Sequence, residues 1–150
     1  QKEGIGVGKI QISAALRAPI PDDSAEKQKI WDAFASFSEP VYLHQVIAQQ
    51  PGGTLQRYRD LPQALEDAAH SEAKEWRAHF HVPLFIDRYQ LLQSTQPDII
   101  TVLQQHTLQP FAPHMEVETY TWQVLPDAWK LPIDQSIIRE LNWVLRTLNK

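Results

Sequence analysis

Apolar and polar positions alternate with a period of two along residues 7–13, where Gly8, Ile10 and Ile12 oppose Val7, Lys9, Gln11 and Ser13. That pattern predicts a β-strand. Residues 14–21 read as a loop holding Pro19 and Pro21, and Asp22, Asp23 and Ser24 follow as candidate N-caps. Ile30, Trp31, Phe34 and Phe37 then recur at helical spacing, so an amphipathic helix is predicted, with Pro40 after its end. Residues 41–48 and 54–59 flank Gly52-Gly53, which predicts a β-hairpin. Asp60 caps a second helix, with Pro62 near its first turn and Leu61, Leu65 and Ala68 as its apolar stripe. Residues 76–85 read as a strand. A helix over about 97–106 is capped by Ser94 or Thr95, and residues 114–122 form a further strand. A terminal helix over about 134–148 carries Ile137, Ile138, Leu141, Val144, Leu145 and Leu148.

Strands alternating with helices predict an α/β fold with a parallel sheet and helices outside it. Three principal strands cannot close a barrel, since a full (β/α)₈ barrel takes roughly 250 residues. The expected architecture is therefore the C-terminal portion of a TIM barrel. It holds about three βα units in one domain over residues 1–150, with a hairpin insert at about 41–59. An open three-layer sheet is the alternative. Each strand has one polar row, as expected for residues that look into a barrel.

Composition narrows the classes. The 150 residues are 43% hydrophobic and 21% charged, with a formal net charge of -4, typical of a globular protein. Lys and Arg do not cluster along the chain, which argues against nucleic acid as the main partner. No apolar run reaches the length of a membrane-spanning helix, so no membrane insertion is expected and the location is expected to be cytoplasmic. The absence of cysteine excludes disulfides, thiolate metal sites and cysteine nucleophiles. The chain opens on Gln1, almost directly in a strand-like run, as the downstream part of something longer would.

The chemistry-bearing residues sit mostly on predicted strands. Arg77, His79 and His81 share one face of the strand at 76–85. Two imidazoles two residues apart can both reach a metal ion or a substrate. Pro83 ends that strand, which puts His81 at the end where barrel enzymes keep their chemistry. Glu116 and Glu118 share a face of the later strand, and His114 extends that row. Paired acids repel unless a cation lies between them. Glu118 is the candidate metal ligand or general base. Glu116 is a candidate substrate contact, with an ion pair to Arg77 as its structural alternative. Gln11 ends the first strand's polar row beside Ser13, and Arg17 lies six residues on, where a guanidinium can hold a substrate oxygen. His44 and Arg57, with Tyr58 and Arg59, put polar groups on the hairpin, which is expected to act as a lid over an anionic substrate.

The stretches VGKIQISAALR, EPVYLHQV, LQRYRDLPQAL, EWRAHFHVPLF, HMEVETYTWQVLP and SIIRELNWVL, in this order, resemble the C-terminal part of the EboE-type metabolite traffic proteins. These belong to the xylose isomerase-like TIM barrels. The resemblance covers nearly the whole chain and implies that about five further strands precede it. It implies a divalent metal (Mn, Mg or Zn) held by Glu, Asp, His and Glu, the last matching Glu118, with His79 and His81 as further candidate ligands. Gln11 and Arg17 reproduce the spacing of a metal histidine and a substrate arginine in the related ketose epimerases, but with Gln in place of His. The implied activity is that of an isomerase or epimerase on a small oxygen-rich metabolite, with Glu118 and His81 catalytic. Gln11, Arg17, His44, Arg57, His79 and Glu116 would bind substrate. A barrel that has lost its metal and carries a metabolite without chemistry is the alternative. The implied partners are that metabolite and either the missing N-terminal half of the barrel or a partner chain.

Overall fold

The structure is a computed structural model that describes residues 3–119, 122, 125 and 130–149. It is a mixed α/β protein, and its elements in chain order are β1 (Ile10–Ile12), β2 (Ala14–Pro19), α1 (Ser24–Ala35), β3 (Val46–Gln49), β4 (Leu55–Tyr58), α2 (Leu61–Asp67), β5 (Glu75–Val82), β6 (Arg88–Tyr89), β7 (Leu92–Ser94), α3 (Gln96–Leu108), β8 (Met115–Val117) and α4 (Ile133–Leu148). They divide into two compact units. One comprises Ala15–Phe80 and Arg88–Ser94, the other Gln1–Ala14, His81–Asp87 and Thr95–Lys150.

The first of these is built on a sheet of order β4-β3-β5-β2-β7-β6. Strand β3 pairs antiparallel with both β4 and β5, and β7 pairs antiparallel with both β2 and β6. Ile20 N donates to Lys74 O at 2.8 Å, tying the end of β2 to the start of β5, so this pair also runs antiparallel. The expected parallel sheet is thereby corrected, and the described strands close no barrel. Residues 14–19 are a strand and not the expected loop. Ala14, Leu16 and Ala18 are buried, alternating with half-buried Ala15 and Arg17, and Pro19 falls at the strand's end, where its missing N–H is tolerated. The hairpin forms at Gly52 and Gly53, both with positive φ, which a turn of this kind asks of glycine. It is part of the sheet and not a lid, because β3 lies between β4 and β5. A second hairpin, β6–β7, turns at Gln90 with φ 56° and has no counterpart in the sequence reading.

The sheet's inner face faces α1 and α2. Asp23 caps α1 by accepting from Glu26 N at 2.9 Å, and Asp60 caps α2 by accepting from Leu61 N at 2.8 Å. Trp76 is fully buried at the centre. Trp31 of α1 lies 4.2 Å from it between ring centroids, Phe34 5.9 Å and Tyr58 of β4 6.1 Å. Phe37 meets Phe80 and Tyr89 edge-on at 5.2 and 6.2 Å.

In the other unit, β1 and β8 pair in parallel, with Gln11 opposite Glu116. The strand expected over 114–122 is observed over Met115–Val117, and its positions 120 and 121 lie outside the described residues. Helices α3 and α4 pack together, and Thr107 Oγ1 donates to Leu148 O at 3.3 Å. The Glu140 carboxylate of α4 is buried and accepts from Leu84 N at 2.7 Å. The Arg139 guanidinium stacks over the Phe85 ring at 3.8 Å. No helix among the described residues is long and apolar enough to cross a membrane.

Trp76 offers a direct test of the packing. Its indole Nε1 is buried with no hydrogen-bond partner, so its removal does not break a bond. Trp76→Ala leaves a large cavity and is expected to cost about 3–5 kcal/mol. Trp76→Phe keeps an aromatic ring and sheds the unsatisfied N–H, and is expected to cost less than half as much. Urea unfolding of both variants measures this, and equal losses would refute it.

Candidate functional site

The residues singled out from the sequence fall into three places. The first is the outer face of the six-stranded sheet. Because side chains alternate along a strand, burying Trp76, Ala78 and Phe80 turns Glu75, Arg77 and His79 outward. Ile47 pairs with Arg57 on one side and Arg77 on the other, which places all three on this face. Across β5, Arg17 Nη2 lies 3.5 Å from Glu75 Oε2, while Arg77 Nε lies 2.6 Å from Glu75 Oε1. Arg17 pairs with Gln93, and Gln93 with Arg88. Among the described residues, four guanidinium groups and one imidazole therefore share this face with the Glu75 carboxylate, on a chain whose net charge is -4. Arg57 and Arg88 make no ion pair with any described residue. One carboxylate, Glu75, already sits between two guanidiniums, so the face is suited to receive oxyanions. The sequence readings found Arg17, Arg57, Arg77 and His79 for separate reasons and missed Arg88, whose strand is two residues long.

The second place surrounds His44, which precedes β3. Its side chain is only 2% exposed, so it is not the solvent-facing lid residue expected. The ring stacks on Phe80, 5.0 Å between centroids and 17° between planes. Nε2 lies 3.5 Å from Glu39 Oε1, and neither ring nitrogen has a hydrogen-bond partner. Glu39 is held in place by accepting from Val41 N at 2.7 Å and Tyr42 N at 2.9 Å. Asp60 Oδ1 accepts from both His44 N and Leu61 N at 2.8 Å. Burial lowers the His44 pKa below its ordinary 6.5, against the opposing pull of the Glu39 and Asp60 carboxylates. A cavity of about 320 Å³ opens beside this group, bordered by Glu39, Tyr42, Asp60 and Pro62. Nearby, Tyr58 donates to Asp67 Oδ2 at 2.6 Å, and burial first, then that carboxylate, pushes its pKa up to about 12. Both groups are structural here: a neutral imidazole packed on a ring, and a phenol tied to an acid.

The third place is in the other unit. His81 is 4% exposed, with Nδ1 2.7 Å from Glu118 O and 3.1 Å from Ser13 Oγ. The expected meeting of His81 and Glu118 is present, but Glu118 brings its backbone carbonyl. A carbonyl oxygen only accepts, so Nδ1 must carry the proton. It therefore cannot act as a base toward Ser13, and the contact is not a nucleophile–base pair. Glu116, the candidate substrate contact, pairs with Lys9 at 2.6 Å in an exposed ion pair, and not with Arg77, its structural alternative. Gln11 is exposed on β1 beside it.

Of the candidate ligands to the implied metal, His79 faces outward on the sheet, and Glu118 approaches the His81 ring with its backbone carbonyl. Among the described residues no group of three or more His, Asp or Glu side chains is placed to hold a metal ion. Comparison with known proteins is equally bare: no family model, curated protein or solved structure matches the chain.

The sign of the His44 shift gives a pH prediction. A histidine whose pKa is lowered by folding adds stability that is present above pH 6.5 and lost as the pH falls through the folded value. The wild-type protein should therefore lose stability through this group on acidification from pH 7 to pH 5. His44→Phe keeps the stack on Phe80 and should show a correspondingly flatter profile. Parallel urea-midpoint profiles for the two proteins would sink the assignment.

Proposed function

We propose that the chain is a non-catalytic binding protein for a small, oxygen-rich anionic metabolite, which it holds on the outer face of the six-stranded sheet. One observation carries this reading. Arg17, Arg57, Arg77, Arg88 and His79 share one face, where Glu75 pairs with both Arg17 and Arg77. Strands lie about 4.8 Å apart, so Arg57 and Arg77 sit roughly 10 Å apart across two intervals, and Arg17 and Arg88 likewise. Each pair spans a ligand bearing two phosphates or carboxylates. Similarity in order and wording to the EboE-type metabolite traffic stretches supports metabolite handling as the role.

A second reading is the isomerase- or epimerase-like activity on a portion of a xylose isomerase-like barrel. It is favoured by the parallel pair β1–β8, which sets Gln11 against Glu116 on neighbouring strands as barrel strands would be set.

Calorimetric titration with a sugar bisphosphate, a dicarboxylate and a neutral polyol tests the first reading. The anions should bind and the polyol should not, with affinity falling as salt is raised. Arg57→Ala or Arg88→Ala should each weaken binding by roughly 10- to 100-fold, the loss of one charge-assisted contact of about 1.5–3 kcal/mol. Equal binding of the polyol, or unchanged affinity in both variants, would refute it. For the second reading, added Mn²⁺ should raise the melting temperature by several degrees and Glu118→Gln should abolish that rise. No shift with metal disposes of the metal-dependent form.

A further inference from the structure

The arginines of the six-stranded sheet fall on one level across all its strands. Arg57 of β4 stands opposite Ile47 of β3, and Ile47 opposite Arg77 of β5. In the other half of the sheet, Arg17 of β2 stands opposite Gln93 of β7, and Gln93 opposite Arg88 of β6. The Ile20–Lys74 bond joins the two halves. Three residues back along β2 and three on along β5, antiparallel pairing sets Arg17 across from Arg77. The four arginines therefore lie in one row at right angles to the strands. Five strand intervals of about 4.8 Å make that row about 24 Å long. Like charges set directly opposite destabilise a sheet, and Glu75 offsets this by pairing with both central arginines. Arg57 and Arg88, at the two ends, make no ion pair with any described residue. The row thus has three positive centres about 12 Å apart. The six strands hold no acid besides Glu75.

We infer that this row docks an extended acidic segment of a partner polypeptide, lying across the strands. The inference rests on the reading of this face as an anion site and extends it from a small ligand to a chain. A small dianion reaches two neighbouring centres, whereas an elongated polyanion reaches all three. Other polyanions suit the row less well. Nucleobases need exposed rings to stack on, and the aromatic residues of the six strands, Tyr58, Trp76, Phe80 and Tyr89, are all buried. A bare polyphosphate has no apolar group to set against Ile47 and Leu55, which are 37% and 54% exposed on this face. A peptide supplies both kinds of contact. In an extended chain every fourth side chain shares a face at about 13 Å, which matches the spacing of the centres within the reach of an arginine arm. The residue midway between two such acids lies on the same face and meets Ile47 in one interval and Gln93 in the other.

Fluorescence anisotropy of the whole chain with a labelled peptide of about nine residues tests this. The peptide carries glutamate at its first and every fourth following position, with valine and threonine between. It should bind more weakly as salt is raised, and roughly 10-fold or more tighter than its half-length version, which has two glutamates. Arg57→Ala and Arg88→Ala, at exposed positions on opposite ends of the row, should each bring the full peptide down to the affinity of the half-length one. Gln93→Glu should also weaken it, while Lys29→Ala on α1 should leave it unchanged. A sugar bisphosphate should displace the peptide. Equal binding of the two lengths, equal binding of a peptide with glutamine for glutamate, or tighter binding of polyphosphate or single-stranded DNA of the same charge would overturn the inference. Bisphosphate binding without peptide binding overturns it and leaves the small-ligand reading standing; if neither binds, both fall. The comparison of lengths needs no variant, so it decides the matter even if a substitution disturbs the sheet.

Discussion

The seating of Trp76 decides most of what the six-stranded sheet does. Its ring fills the space beneath α1 and is met by Trp31, Phe34 and Tyr58. Its neighbours on the inner face are kept small, with Ala48 opposite it on β3 and Ala78 two residues on. This alternation of one large ring with alanines lets the helix aromatics reach the sheet at normal packing density. The orphaned indole N–H shows how strongly shape outweighs polarity at this spot: burying it costs about 1–3 kcal/mol, while the ring's area and contacts contribute more. Once Trp76 is inside, parity fixes the rest. Glu75, Arg77 and His79 must face out, and the register carries the same choice to Arg57, Arg17 and Arg88. The arginine face is thus a consequence of core packing, without any run of basic residues in the sequence.

Local signals in the chain were legible where they rest on chemistry that acts within a few residues. Asp23 and Asp60 are the caps they were expected to be, Gly52-Gly53 makes its turn, and α4 begins and ends close to its predicted limits. What escaped were three strands. Residues 14–19 are rich in Ala, Leu and Arg, which favour helices, and carry a proline. Strands β6 and β7 are two and three residues long, too short for any alternation to register. With those three missing, helices and strands alternate one by one along the sequence, and that order reads as βαβ. With them restored, the six-stranded sheet is antiparallel.

The candidate residues show the same division. Alternation grouped Arg77, His79 and His81 in one row, and the structure keeps Arg77 and His79 on the exposed face while His81 is buried. No local pattern brings Arg17 to Glu75, because that contact depends on strands 58 residues apart pairing through Ile20 and Lys74. His44 shares an apolar stretch with Val46 and Ala48, and stacking on Phe80 draws it inside against the ordinary preference of an imidazole for water. Glu118 reaches His81 through its main chain, a choice invisible to any reading of side-chain types.

Helix α4 reverses the usual relation between amphipathic pattern and burial. A helix of its kind turns its apolar stripe to the core, yet here a carboxylate is buried and a ridge of aliphatic residues is not. Leu84 N supplies part of the reason. It is a buried donor just past the end of β5 that needs an acceptor, and Glu140 Oε1 provides it. The arrangement is costly, since burial raises the Glu140 pKa above the ordinary carboxylate range and the bond from Leu84 only partly opposes this. By the sign of that shift the group's contribution to stability is fully present below pH 4.5 and is lost as the pH rises through its raised folded value.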